Sequence, residues 1–572
     1  MNPSKRHLRF SLIFLFCLFG LFIFVIKLIS IQVFKSSYLS TLAEKQHNYF
    51  VELEPKRGGI YDRRLRPLAV NVAAYSLYAK PRQMTATMKK MAVEELNETL
   101  GLDKGYLENR FSRNKYFVWI ARKLSFPVAE KIKALKIDGL DFIKESQRYY
   151  PDQSLAAHLI GFAGMDNKGL EGLELKYDHY LQGEYGLSQI IRDAHNRELL
   201  IERGFIPPKN GFDLVLTIDE TIQYIAERAL QEGFEKHHAQ GAMIIVIDPK
   251  TGEILALANR PTFDLSTFSA SSTESRRNRA VVDMYEPGSV FKIVTAAAAL
   301  EENKVKESDP FFCEYGEYKV GGHILHDHTK HGVLTFQQVI ELSSNIGTTK
   351  IAQFLGAATV YKYAKLFRFG SPTGINLLGE VRGVLKDPRQ WSKTSISAVP
   401  IGQEVTVTAL QLVCAIAAIA NDGVYMQPLV VKYIRDQEGQ VIKEFTPQVL
   451  AKVISPETAK RLRQILKGAV DNGTGKMAKI EEASVGGKTG TAQKVVNGQY
   501  SHDKFYASFI GFAPAENSKI AVVVVVDEPH PSYYGGTVAA PIFRKVTEDV
   551  LKYLATNQAP KNIITLNNRS SQ

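Results

Sequence analysis

Residues 10–26 are apolar at every position except Ser11 and Gly20, and Leu28, Ile29, Ile31 and Val33 carry the run past Lys27 to residue 34. About 20 apolar residues span a bilayer as a helix, so residues 10–34 predict one membrane-spanning segment, with the Lys27 stem long enough to reach an interface. Lys5, Arg6 and Arg9 precede the run. The excess of positive charge predicts a cytoplasmic tail at residues 1–9 and an extracytoplasmic remainder. No small-x-small cleavage site follows the run, so a retained anchor is expected rather than a removed signal peptide. No second stretch is long enough to span, and everything beyond residue 34 must therefore bury its own core in water.

Composition supports that requirement. The chain has 572 residues, 45% hydrophobic and 23% charged, which describes a folded protein of more than one domain. Lys and Arg total 71 against 59 Asp and Glu, but the excess is spread along the chain instead of gathered in a patch, so a nucleic-acid partner is not indicated. Cys17, Cys313 and Cys414 are too few and too scattered for a disulfide framework or a thiolate metal site.

Residues 36–54 read as helical and then polar, leading to the turn cluster Pro55-Lys56-Arg57-Gly58-Gly59. Up to residue 210 short strand-like runs (68–72, 117–120) alternate with charged helical stretches (91–100, 127–135). The cluster Pro207-Pro208-Lys209-Asn210-Gly211 suggests a boundary, after which 212–218 alternates like a strand. Asp219 can cap a helix carrying Ile222, Ile225, Ala226, Ala229 and Leu230. Residues 242–247 and 253–258 flank the turn Asp248-Pro-Lys-Thr-Gly252 as a hairpin. Strands at 505–512 and 520–526 and a helix at 540–554 close the order. Strands first and last with helices between predict an α+β domain whose terminal strands share a sheet. The expected division is a cytoplasmic tail (1–9), an anchor (10–34), a mixed α/β pedestal (35–210), a catalytic domain (211–555) and a polar tail (556–572).

Three loose motifs recur, and context separates the copies. Ser-x-x-Lys occurs at Ser112, Ser289 and Ser501. Only Ser289-Val-Phe-Lys292 follows a turn, Tyr285-Glu-Pro-Gly288, and opens an alanine-rich helix, putting the hydroxyl at a positive helix end and Lys292 on the same face. Lys-Thr-Gly occurs at Lys250, inside the hairpin turn, and at Lys488-Thr489-Gly490-Thr491, on a glycine-flanked strand that ends in Asn497-Gly498. A phosphate-binding loop is excluded there, because residue 482 is Glu where a glycine is needed and a strand follows instead of a helix. Ser-x-Asn occurs at Ser112-Arg-Asn114 and at Ser343-Ser-Asn345, the latter beside an apolar helix at 336–342.

Ser-x-x-Lys, Ser-x-Asn and Lys-Thr-Gly in this order are the signature of penicillin-binding proteins and serine β-lactamases. The chain resembles the class B penicillin-binding proteins, and most the division-specific septal branch. The likeness runs through Arg57-Gly-Gly-Ile-Tyr-Asp62-Arg63, Arg148-Tyr-Tyr-Pro151, Gly169-Leu-Glu-Gly172 and Tyr533-Tyr-Gly-Gly-Thr-Val-Ala-Ala-Pro541. Two positions depart from the family pattern: Leu65 and Asn196 stand where glycine is usual. The resemblance implies a single-pass inner-membrane protein of the bacterial septum with a transpeptidase-like antiparallel sheet flanked by helices. It implies a Ser289 nucleophile, Lys292 as its base, Ser343 and Asn345 as proton relay and peptide ligand, and Lys488, Thr489, Gly490 and Thr491 as the carboxylate-binding strand. Backbone N–H groups of Ser289 and Thr491 would form the oxyanion hole. Implied partners are peptidoglycan stem peptides, β-lactams, an FtsW-type glycosyltransferase and other divisome membrane proteins, with no cofactor.

The rivals are an elongation-specific transpeptidase, a membrane-anchored β-lactamase and a non-catalytic penicillin-binding sensor. A β-lactamase of class A type needs a dedicated glutamate, and no Glu-x-x-Leu-Asn segment lies between Asn345 and Lys488. His323, His326, His328 and His331 crowd around Asp327, but their spacing fits no usual zinc pattern, so a loop at the cleft rim is expected and no metal.

Overall fold

The computed structural model describes residues 3–39, 48–192, 198–200 and 205–558. They fall into two compact units, Met1–Lys56 with Gly183–Gly211, and Arg57–Gln182 with Phe212–Gln572.

In the first unit the apolar run forms the helix Pro3–Ile29, continued by a π-helical turn at Ser30–Phe34. Residues His7–Phe34 are long and apolar enough to cross a bilayer, and their side chains are exposed, as an anchor requires. The helical reading of 36–54 needs correction. Helix is present at residues 36–39, whereas Asn48–Leu53 is a strand paired antiparallel with Gly186–Arg192, which in turn pairs with Glu198–Leu200. The run Tyr49-Phe50-Val51 is aromatic and β-branched, and cross-strand packing suits it better than a helix. Asn196 lies outside the described residues, as does the tail beyond Gln558.

The second unit is built on a five-stranded antiparallel sheet in the order Ile254–Arg260, Gly241–Ile247, Ile520–Asp527, Gln499–Ala513, Gly486–Val496. Its central strands are buried on both faces, and alternation divides them between two cores. Met243, Ile245, Val523 and Val525 face the core of helices Lys292–Glu301 and Ala409–Ala420. Ala242, Ile244, Val522 and Val524 face helices Glu220–Lys236 and Gly535–Gln558. The Asp219 carboxylate caps the Glu220–Lys236 helix at the Thr221 and Ile222 N–H groups, and the five apolar residues read from its spacing all lie in the second core. The 242–258 hairpin is present as expected and shares its sheet with the late strands at 505–512 and 520–526. The last helix begins at Gly535, earlier than residue 540, and carries Pro541 inside its first turns.

The strand expected at 212–218 forms at Asp213–Leu216 but joins a different sheet. It pairs antiparallel with Val431–Arg435 and parallel with Ile60–Tyr61. That sheet runs on through Pro67–Ala79, which pairs with Val118–Leu124 and Leu140–Tyr149. Helix Ala86–Leu100 packs on this part through Ala92, Val93 and Leu96. The arginines of the pedestal motifs meet here. Arg57 donates to Glu174 at 2.7 Å and to Asp178 at 2.6 Å, and Arg148 donates to Glu174 at 2.5 Å. Leu65 takes the left-handed conformation, φ 64°, that the glycine it replaces would take without strain.

Candidate active site

The turn before Ser289 is held from two sides. Tyr285 and Val407 exchange backbone hydrogen bonds, and the Gly288 N–H donates to Gly402 O at 3.1 Å. Gly288 has φ 57°, and a Cβ there would stand 2.9 Å from Thr491 O, so the turn can close onto the strand that carries Lys488 to Thr491 only as glycine. Ser289 itself lies in a 3₁₀ turn, Gly288–Phe291, and the α-helix begins at Lys292. The expected position in the first α-helical turn is thus shifted by one tighter turn, with Ser289 still at the N-terminal end. Ser289 opens onto a cleft of about 670 Å³ that Ser343, Asn345, Thr489 and Thr491 also line.

Lys292 and Lys488 are both fully buried. Lys292 Nζ donates to Ser343 O at 2.6 Å, to Asn345 Oδ1 at 2.8 Å and to Ser343 Oγ at 3.2 Å. Lys488 Nζ donates to the same Ser343 Oγ at 2.9 Å. A hydroxyl that accepts from two amines keeps its own proton for a third group in the cleft. Among the described residues neither lysine has a carboxylate within ion-pair distance. Burial, and next the Lys488 charge, hold the Lys292 amine well below the ordinary lysine range, with Asp327 opposing from farther away. Burial pushes Lys488 down to about 7. A lysine so depressed carries a substantial neutral fraction near pH 7 and can accept a serine proton.

Ser343 sits between helices Phe336–Glu341 and Asn345–Leu355 with φ 62°, an uncommon conformation for serine. The residues that follow it are held by Asp327, which the sequence shows only as a member of the histidine-rich loop. Its carboxylate accepts from the N–H groups of Asn345 and Ile346 and from the Ser344 hydroxyl. His326 O accepts from Asn345 Nδ2 at 3.0 Å. The histidine-rich loop thus orients the Ser-x-Asn residues. His328 and His331 line the cleft. Among the described residues no group of His, Cys, Asp and Glu could hold a metal.

Lys488-Thr489-Gly490-Thr491 lies on an edge strand, leaving one side open for another extended backbone. Thr491 Oγ1 accepts the Gly535 N–H at 3.0 Å, so its hydroxyl proton remains available to an anion. Thr489 Oγ1 shares a 2.7 Å hydrogen bond with Thr474 Oγ1, a residue that the sequence reading does not single out. A Cβ at Gly490 would lie 2.9 Å from Pro287 O, so a larger residue would push the strand from the nucleophile turn. Ser289, Lys292, Ser343, Asn345 and Lys488 through Thr491 are therefore brought together around one cleft. The discarded copies lie elsewhere: Ser112 is exposed at the end of a helix, Lys250 is exposed in the hairpin turn, and Ser501 lies on a strand with its hydroxyl on Asp503. Turn-like surroundings are expected at Ser501 from the sequence, but the strand Gln499–Ala513 extends through it.

Comparison with known proteins agrees with this geometry. Residues 242–548 match the family model of the penicillin-binding protein transpeptidase domain, and residues 52–216 match that of the penicillin-binding protein dimerisation domain. The chain is 37% identical to stage V sporulation protein D of Bacillus subtilis over 98% of its own length and 88% of the relative's. It is 31% identical to the peptidoglycan D,D-transpeptidase FtsI of Escherichia coli, covering 88% of this chain and 84% of that one. A crystal structure of penicillin-binding protein 3 from Mycobacterium tuberculosis, complexed with aztreonam, superposes with a TM-score of 0.70 at 28% identity, covering 88% of this chain and 97% of the other. Family models together matching most of the chain, and relatives aligned over nearly its whole length, identify it as a class B penicillin-binding protein, a serine-type peptidoglycan D,D-transpeptidase.

Proposed function

We propose that Ser289 carries the acyl group and that Lys292 is its base. Ser289 Oγ attacks the penultimate D-alanine carbonyl of a stem peptide and its proton passes to the neutral Lys292 amine. The C–N bond then breaks, and the proton, relayed through Ser343, leaves on the amine of terminal D-alanine. An amine of a second stem attacks the ester and loses its proton back along the same route, which forms the cross-link and restores Ser289. Backbone N–H groups of Ser289 and Thr491 hold the oxyanion, an effect worth about 3 to 4 kcal/mol per donor in other acyl-transfer enzymes. Lys488, Thr489 and Thr491 take the substrate carboxylate, and Asn345 the peptide amide. The observation that carries this reading is the pair of buried lysines sharing the Ser343 hydroxyl, with no carboxylate at ion-pair distance among the described residues. Full-length protein in detergent, given a donor pentapeptide and a labelled amine acceptor, should release D-alanine and form the cross-linked product, and Ser289→Ala should do neither. D-alanine release without cross-linking would point to a hydrolase.

β-Lactams would acylate the same serine, and penicillin-binding protein 3 of Mycobacterium tuberculosis, a structural relative, has been solved with aztreonam. We assign residues 35–210 to the pedestal and 211–555 to the catalytic domain, between an anchor at 10–34, with its cytoplasmic tail at 1–9, and a polar tail at 556–572. This division is supported by the separate family matches at 52–216 and 242–548. The extracytoplasmic orientation follows from the basic residues before the anchor. Action at the septum beside an FtsW-type glycosyltransferase is supported by the likeness to FtsI. The likeness to a sporulation protein favours a second setting, in which the same chemistry serves spore formation. Depletion separates them: filamentation of growing cells supports the divisional role, and normal growth with defective spores supports the other.

A further inference from the structure

Glu286, three residues before Ser289, is a carboxylate in the cleft that has no cation partner among the described residues. It lines the same cleft as Ser289, Gln403 and Gln493 and is half-buried. Its Oε1 accepts the Glu404 N–H at 2.9 Å and the Tyr500 hydroxyl at 3.2 Å. Other shielded carboxylates nearby behave differently. Asp283 is paired with Arg277 and Arg279, and Asp527 with Lys494. Among the described residues Glu286 makes no ion pair, and the charge closest in effect is Glu404, of the same sign. Burial first, with the Glu404 charge adding to it, pushes the Glu286 carboxyl above its ordinary range against the two hydrogen bonds it accepts, and a bound cation would reverse this. An unmatched carboxylate kept in a substrate cleft is costly to hold and selective for a positively charged ligand.

Its place along the strand says which part of a ligand it meets. Tyr500, which holds Glu286, is paired with Val495, whereas the carboxylate-binding Lys488 and Thr489 lie at the opposite end of the same strand. A donor peptide whose terminal carboxylate sits at Thr489 and Thr491, and whose scissile carbonyl sits at Ser289, runs its earlier residues toward Gln493 and Glu286, at about 3.4 Å per residue. The residue just before the D-alanyl-D-alanine end then has its side chain within reach of Glu286. We propose that Glu286 is a specificity-determining residue that receives the side-chain ammonium of a diamino acid at this position of the donor. The proposal rests on the acyl-enzyme reading of the cleft.

Both hydrogen bonds of Glu286 fall on Oε1, so Glu286→Gln can keep them with its amide oxygen and remove only the charge. The test is protection against benzylpenicillin, which carries no ammonium, using full-length protein in detergent. Two peptides compete, Nα-acetyl-L-lysyl-D-alanyl-D-alanine and its Nε-acetylated form, and the concentration of each that halves the acylation rate is measured. Wild type should be protected by the free ammonium peptide at about tenfold lower concentration, the scale of one charge-assisted contact, and Glu286→Gln should lose that preference. An unchanged preference in the variant, or none in wild type, overturns the proposal. Acylation by benzylpenicillin reports separately on the cleft: if wild type itself is not acylated, the acyl-enzyme reading fails instead. If the variant alone is not acylated, wild type decides, because an ammonium–carboxylate contact must weaken as salt rises toward about 1 M and a salt-independent preference overturns it.

Discussion

The pedestal and the cleft each bury two cations, and the groups facing those cations make one pair structural and the other chemical. In the pedestal, Arg57 and Arg148 are almost completely buried and converge on Glu174, with Asp178 taking another Arg57 N–H. Guanidinium groups do not lose their protons, and the carboxylates match their charge, so this cluster can only hold the chain in place. In the cleft, Lys292 and Lys488 are as deeply buried but face a hydroxyl, a carbonyl and an amide oxygen. With no carboxylate at ion-pair distance among the described residues, burial lowers the affinity of the lysines for protons. A buried cation is thus a brace or a base according to its counter-charge and its ability to deprotonate.

The comparison breaks most sharply at Lys292→Arg, which installs a pedestal-type cation in the cleft. Arginine has a similar reach but cannot give up its proton, so the proposed base is lost and the rate of acylation by benzylpenicillin should fall at least about 1000-fold, within the range general-base removal commonly costs. Retention of a tenth of the rate would mean that Lys292 acts only as a charge. The converse change is Glu174→Gln, which leaves two buried arginines with one carboxylate fewer. Breaking a buried pair in this way costs about 3–5 kcal/mol, visible as an early denaturation transition, while the acylation rate of the folded fraction should hold. A cost under about 1 kcal/mol would show that the pedestal cluster is already hydrated.

Acidity sharpens the contrast further. With Lys292 as the proposed base its neutral form is the reactive one, so acylation should rise as pH is raised through its depressed pKa and fall on acidification. For stability the sign comes from proton counting. Lys488 titrates at about 7 when folded and in the ordinary lysine range when unfolded, so between these limits the unfolded chain binds more protons. Stability therefore gains with pH across that window from Lys488, and Lys488→Met should flatten the rise in melting temperature measured from about pH 7 to 10.

Smaller effects come from the residues that orient each region. Asp327→Asn removes the charge that gathers the Asn345 and Ile346 N–H groups and the Ser344 hydroxyl, and should slow acylation about tenfold, with loss of stability of about 1 kcal/mol. Leu65→Gly in the pedestal relieves a left-handed φ of 64° at an exposed site. The relief of about 1–2 kcal/mol exceeds the added chain entropy of glycine, and a small net stabilisation, under about 1 kcal/mol, is expected in denaturant.

Much of the catalytic region is legible in the sequence because its signals are local and repeated. The Glu220–Lys236 helix announces its cap and its apolar face within one segment, and residues 241–247 and 520–526 are apolar runs. The serine, lysine and threonine motifs are separated from their chance copies by the helix or strand that each one opens. Less legible is anything settled by a distant partner. Asp213–Leu216 reads as a strand, but its neighbours at 431–435 and 60–61 are invisible locally, so the sheet it joins differs from the one expected. Asp327 reads as one member of a metal-like cluster, because its role depends on N–H groups exposed at the start of a helix 18 residues later. Thr474 carries no motif, and its bond to Thr489 exists only through the packing of its loop against the strand. The strand at 48–53 is open to reading from its aromatic and β-branched run, and the polar residues around it obscure that.

The central claim is that an unmatched buried lysine turns Ser289 into a nucleophile whose ester outlasts water. Intact-protein mass spectrometry of the full-length chain mixed with benzylpenicillin tests it most directly, in wild type, Ser289→Ala and Lys292→Arg. The account predicts one adduct per wild-type chain that persists for many minutes, none in Ser289→Ala, and a greatly slowed one in Lys292→Arg. An adduct that clears within seconds, or one that forms as readily in either variant, would contradict it.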